Sequence, residues 1–132
     1  MNKDVRWKER FQNFEKAFKD LEATIKLKNP SKAERAGLIQ FFEMTFELSW
    51  KTIKDYLEAQ GYQVNGPREA LKQAFQIHLL EEGHLWMKAL EDRNLTTHTY
   101  DEAISQKIES LIRDKYYLIL KNLYLSLKKK AQ

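Results

Sequence analysis

The stretch 38-LIQFFEMTFELSW-50 decides how the rest of the chain is read. Its apolar residues Leu38, Ile39, Phe41, Phe42, Met44, Phe46, Leu48 and Trp50 do not alternate as a strand would. At about 100° per residue they occupy nearly every side of a helix. A helix that is apolar all round must be covered on more than one side. Two readings stay open: the central helix of a bundle, or a helix whose outer flank meets a second chain.

Upstream, Trp7, Phe11, Phe14, Phe18, Leu21 and Ile25 recur at alternating spacings of four and three, which lays them along one stripe of a helix over about 4–28. Asn29-Pro30 ends it. Ser31 followed by Glu34 forms a capping box and opens the central helix, about 31–60. Downstream, Gly61 stops that helix, and 65-NGP-67 is a turn with Pro67 at a first helical position. A shorter helix over 67–80 then places Leu71, Phe75 and His78 on one face, until Glu82-Gly83 breaks it. The run 84-HLWMKALED-92 supplies one or two further turns. Thr99 with Glu102 repeats the capping-box pattern and is expected to open the last long helix. That helix carries the stripe Ile104, Ile108, Leu111/Ile112, Ile119, Leu123, Leu127, and Lys128–Lys130 suit its C-terminal dipole. Neither a repeat nor a linker interrupts the pattern. The expected fold is an all-α, antiparallel up-and-down four-helix bundle over residues 1–132, with an extra short helix or corner before the last long helix.

Composition agrees. Four glycines and two prolines leave little material for the turns of an all-β fold, and 42% hydrophobic against 32% charged residues argues against disorder. Cysteine is absent, which excludes disulfides and thiolate metal sites and fits a cytoplasmic location. The charged start MNKDVRWKERF lacks a secretory pattern, and no run approaches the roughly 20 apolar residues of a membrane span. No membrane partner is expected. The net charge of +4 is unevenly spread: residues 81–110 hold seven acids against three bases, and residues 111–132 hold six bases against one acid. The basic last helix could meet phosphates, although solvated lysine faces are common.

The helical rhythm fails at 90-LEDRNLTTHTYDE-102. In an unbroken helix Arg93 and His98 would point about 140° apart and could not act together. Thr96 and Thr97 lower helix propensity, so a non-helical link is expected here. It would let Arg93 and His98 converge, or let each meet its copy across a dimer axis. An imidazole can move a proton near neutral pH, and a guanidinium can hold a phosphate or a developing oxyanion. The pair suits phosphodiester chemistry; the alternative is a capped structural corner. His78 and His84 lack ligand spacing, so neither a metal nor another cofactor is expected. There is also no glycine-rich phosphate loop and no serine nucleophile elbow.

The segment 93-RNLTTHTY-100 has the form Arg, four residues, His, one residue, Tyr. With 37-GLIQFFEMTFELSWKTIKDYLEAQG-61, 67-PREALKQAF-75 and 86-WMKALEDRNLTTHTYDE-102, it resembles the nucleotidyltransferase substrate-binding protein family. These are HEPN-type helical subunits paired with a separately encoded minimal nucleotidyltransferase. The resemblance runs in order along nearly the whole chain. It implies a homodimer with the motif in a cleft near the dimer seam, and a subunit that binds substrate for its catalytic partner. In related toxin–antitoxin pairs it implies a ribonuclease in which Arg93 and His98 serve RNA cleavage, silenced when the partner adenylylates Tyr100. Asp92 and Asn94 are then supporting residues, with Asp92 orienting Arg93 or His98. A nucleotide or RNA is the implied ligand.

Overall fold

The computed structural model describes residues 2–132, and every regular element among them is helical. Helix α1 (Lys3–Ile25) is opened by Asn2, whose side chain accepts the Asp4 N–H at 2.7 Å. Its stripe is buried as the spacing requires: Trp7, Phe11, Phe14, Phe18 and Leu21 face the core, and Ile25 packs at its edge. Helix α2 (Lys32–Ala59) begins with the expected capping box, in which Ser31 Oγ accepts the Glu34 N–H and Glu34 Oε1 accepts the Ser31 N–H. The two form a long antiparallel hairpin. The hydroxyls of Thr45, Ser49 and Thr52 donate to carbonyls of α2 itself, so these small buried side chains let α1 approach closely.

Helix α3 (Pro67–Gln76) and helix α4 (Gly83–Asp92) make a short second hairpin against α2. The α3 expectation is corrected here. The helix ends four residues early, and its buried face is Ala70, Leu71 and Ala74, while Phe75 and His78 are exposed. His78 takes the left-handed conformation (φ 63°) that usually falls to glycine, and Leu79 and Leu80 both donate to the Ala74 carbonyl. Gly83 starts α4 and does not merely break α3. A Cβ there would stand 2.8 Å from the Phe75 ring.

The last long helix is α5 (Glu102–Leu111), one π turn (Ile112–Tyr116) and α6 (Tyr117–Ala131). Ile108, Ile112, Ile119, Leu123 and Leu127 are buried, and Ile104 and Leu111 are half-buried. Its cap is corrected too. Asp101, not Thr99, accepts the N–H groups of Ala103 and Ile104, because one carboxylate satisfies two orphan donors. Arg113 reaches back to the α1–α2 connection and donates to the carbonyls of Ile25 and Leu27. The last long helix thereby closes the frayed end of the first. Burial would raise the Glu109 pKa, but hydrogen bonds from Arg35 and Arg113 outweigh that and hold it below its ordinary value. The four-helix bundle with an added short helix is the architecture expected from the sequence. No described helix is long and apolar enough to cross a membrane.

Tyrosines of the last helix clamp α1. Tyr117 stacks on Phe18 at 5.7 Å and donates to Glu22 at 2.6 Å. Burial, reinforced by Glu22, pushes its phenol up to about 12. An unfolded tyrosine ionises near 10. Below that both states keep the proton and the pair contributes fully; between about 10 and 12 only the unfolded chain releases it, so stability falls as pH rises. The urea midpoint should therefore drop from about pH 9 to about pH 11, and drop less in Tyr117→Phe. Equal drops in the two chains would show that this pair does not set alkaline stability.

Helix α2 answers the question its sequence posed only in part. Leu38, Ile39, Phe42 and Phe46 are fully buried; Phe41, Leu48 and Trp50 are half-buried, and Met44 is 43% exposed. Phe41, Met44 and Leu48, spaced three and four apart, form an apolar flank of the central helix that is only partly covered, with Met44 its most exposed member.

Candidate functional site

The motif begins as α4 ends. Arg93–His98 is a 3-10 helix, not the non-helical link the sequence suggested. The threonines explain it: Thr96 Oγ1 donates to the Arg93 carbonyl at 2.7 Å and Thr97 Oγ1 to the Asn94 carbonyl at 3.0 Å. Both bonds reach back three residues, which matches the tighter turn. Five residues of such a helix advance about 10 Å and leave the end residues roughly 120° apart. Within one chain the two side chains share no hydrogen bond among the described residues: Arg93 is held by Glu47. His98 instead meets Tyr100, with Nδ1 and the phenol oxygen 3.2 Å apart. Tyr100 is 81% exposed. It precedes the Asp101 cap, so it is not the first residue of α5.

Two anchors fix the start of the motif. Arg93 Nη1 donates to Glu47 Oε1 at 2.5 Å, and Glu47 Oε2 accepts Trp50 Nε1–H at 2.9 Å. This chain, Trp50 to Glu47 to Arg93, ties the 3-10 helix to α2. It engages one of the guanidinium's five N–H donors; the other four have no partner among the described residues. Asp92 does not orient Arg93 or His98. It accepts the Tyr116 hydroxyl and pairs with Lys88 at 3.4 Å. Burial, then the bond to Asp92, pushes the Tyr116 phenol far above its ordinary value, so it remains a donor. The π turn, by inserting one extra residue per turn, sets Tyr116 on the Asp92 carboxylate while its ring stacks on Phe42 at 5.7 Å. Asn94 is exposed beside Arg93, and both line a groove of about 410 Å³ facing the 65–69 turn.

Glu47, Trp50 and Tyr116 escape a sequence reading as site residues. Glu47 and Trp50 lie three apart on one helical face, a pairing visible in the sequence; its link to Arg93, 46 residues away, is not. Tyr116 depends on a π turn that no local pattern announces.

The chain is thus a helical bundle that presents Arg-x4-His-x-Tyr on a tight turn between two helices. Residues 9–129 match the family described as "Nucleotidyltransferase substrate binding protein like", and the chain belongs to that family. It is 31% identical over 84 residues to a Haemophilus influenzae protein named "Probable ribonuclease HepT"; the match covers 60% of this chain and spans 58% of that relative's length. A crystal structure of a Thermus thermophilus protein superposes with a TM-score of 0.78 at 34% identity, covering 83% of this chain and 94% of the other. A Haemophilus influenzae structure, described as revealing the fold of a substrate binding domain of a nucleotidyltransferase, gives 0.77 at 27% identity, covering 89% and 98%.

Proposed function

We propose that this chain is the helical partner subunit of a separately encoded minimal nucleotidyltransferase, the HEPN-type half of a two-gene, toxin–antitoxin-like pair, with Tyr100 as the residue that accepts AMP. One observation carries the reading: the Tyr100 hydroxyl is in solvent and contacts an imidazole nitrogen at 3.2 Å. A phenol needs both access and a proton acceptor to attack the α-phosphorus of ATP. The phenol oxygen forms the new P–O bond, its proton passes to His98, and pyrophosphate leaves. Incubation with ATP and the cognate nucleotidyltransferase should add AMP, mapped by peptide mass spectrometry to Tyr100. Labelling in Tyr100→Phe should fall to background. If that variant is labelled as well as the parent, or the parent is never labelled, the acceptor role is wrong.

A second reading, a metal-independent ribonuclease toxin, is favoured by the printed name of the Haemophilus relative and by the four donors of Arg93 that have no partner among the described residues. It draws its pair from a homodimer, since within one chain Arg93 is held by Glu47 and shares no hydrogen bond with His98 among the described residues. The partly covered flank Phe41–Met44–Leu48 supports one: it runs beside Glu47, the residue that holds Arg93. Burying an apolar side chain of this size contributes about 1.5–3 kcal/mol, so a second copy there stabilises both chains and places two motifs near one seam. The readings join in one system. AMP on Tyr100 would crowd His98 with a negative charge where an RNA phosphate must sit.

A further inference from the structure

We infer that the groove between the motif and the α2–α3 turn holds an unpaired nucleotide of single-stranded RNA, with Arg68 as its second phosphate contact; this rests on the ribonuclease reading. The groove is about 410 Å³, within the range of about 300–1,000 Å³ that small-ligand sites occupy. Arg93 and Asn94 form one wall and Asn65, Gly66 and the first turn of α3 the other, so a strand whose phosphate meets Arg93 runs directly into it. Leu90, almost fully buried, and Pro67 give it an apolar floor on which a base can lie. Above the floor stand the side-chain amides of Asn65 and Asn94 and the guanidinium of Arg68, all exposed and none paired among the described residues. Amides read the edge of an unstacked base, and a guanidinium grips a phosphate through two parallel N–H bonds. Two carboxylates also line the groove. Glu69 is occupied by the Asn65 backbone N–H at 2.8 Å, and Glu91 stands at the exposed rim. The groove is therefore close to neutral overall. It suits a base with one flanking phosphate better than a bare polyanion, and a duplex, whose bases are paired and stacked, cannot fill it.

The test is fluorescence anisotropy of the full-length chain with a labelled single-stranded oligoribonucleotide of about 12 residues and with the matching duplex, each titrated with salt. The His98→Ala background prevents cleavage during the measurement. Arg68→Ala should weaken single-strand binding about tenfold and lower the slope of log K against log salt by about 0.7, the loss of one phosphate contact. Arg68→Glu should weaken it further, and duplex binding should change in neither. Arg68 is exposed and unpaired among the described residues, so circular dichroism and melting should match the parent. Parental affinity and slope in both variants, with His98→Ala still abolishing cleavage, would overturn the groove and leave the ribonuclease reading standing. Equal losses on single strand and duplex would overturn the unpaired base. A chain with Arg68 intact that binds no RNA at low salt would overturn both.

Discussion

His98→Ala should remove ribonuclease activity, or growth toxicity on expression, while helical content and melting temperature stay within error of the parent. A positioned acid–base group contributes about 10²–10⁴-fold, and that is the loss expected. The fold should survive because His98 is exposed at the end of the 3-10 helix and its side chain's one hydrogen bond among the described residues is to the exposed Tyr100. Unfolding of the variant would instead mark the corner as structural. Arg93→Ala should lose activity similarly, and mixing the two inactive chains is more informative than either alone. Ideal 3-10 geometry sets the two backbone positions about 10 Å and 120° apart, so in the ribonuclease reading the working pair is drawn from two chains. A heterodimer of Arg93→Ala with His98→Ala rebuilds one intact pair and destroys the other. Random mixing should therefore restore about a quarter of parental activity. No recovery, in a mixture shown by mass to contain heterodimers, would reject the cross-chain site.

The geometry behind that result is only half legible in the sequence. The stripes of α1 and of the last helix, the Ser31 capping box and the Pro67 helix start follow from periodicity and local hydrogen bonding, both encoded within a few residues. Local rules also mislead. Thr99 and Glu102 have the spacing of a capping box, yet Asp101 competes two residues on and takes both amides. Thr96 and Thr97 do oppose an α-helix, but their hydroxyls stabilise a 3-10 helix, not an open link. His78 closes α3 in a left-handed turn with no glycine to announce it. The pattern of Arg93, His98 and Tyr100 stands in the sequence; the partners of Arg93 and of Asp92 do not, because Glu47 and Tyr116 reach them only through tertiary packing. Asp92 shows the hazard. Its neighbours in sequence suggest a role toward Arg93, and a tyrosine 24 residues away claims it.

Glu47 is the partner with the most to reveal. Its two oxygens are divided between Trp50 Nε1 and Arg93 Nη1, so the indole fixes the carboxylate and the carboxylate fixes the guanidinium. Glu47 contacts no substrate in this scheme; it is a positioning residue. In Glu47→Ala the half-exposed Arg93 keeps its charge and loses its aim. A displacement of about 1 Å at a reacting group costs on the order of 10²-fold in rate, and that is the expected fall in kcat for RNA cleavage. KM should change little, because the donors that hold phosphate remain. Stability should fall by no more than about 1 kcal/mol, the ordinary worth of a part-exposed ion pair. Glu47→Asp separates position from charge: it keeps the carboxylate but draws it back by one carbon, out of reach of Arg93. A positioning role predicts a loss close to that of alanine, whereas a general electrostatic effect predicts nearly parental activity. Glu47→Gln, which preserves reach and can still accept from Arg93, should retain the most of the three. An unchanged kcat in Glu47→Ala, or a melting drop large enough to account for the lost activity, would place Glu47 among ordinary surface ion pairs and leave Arg93 to find its own orientation.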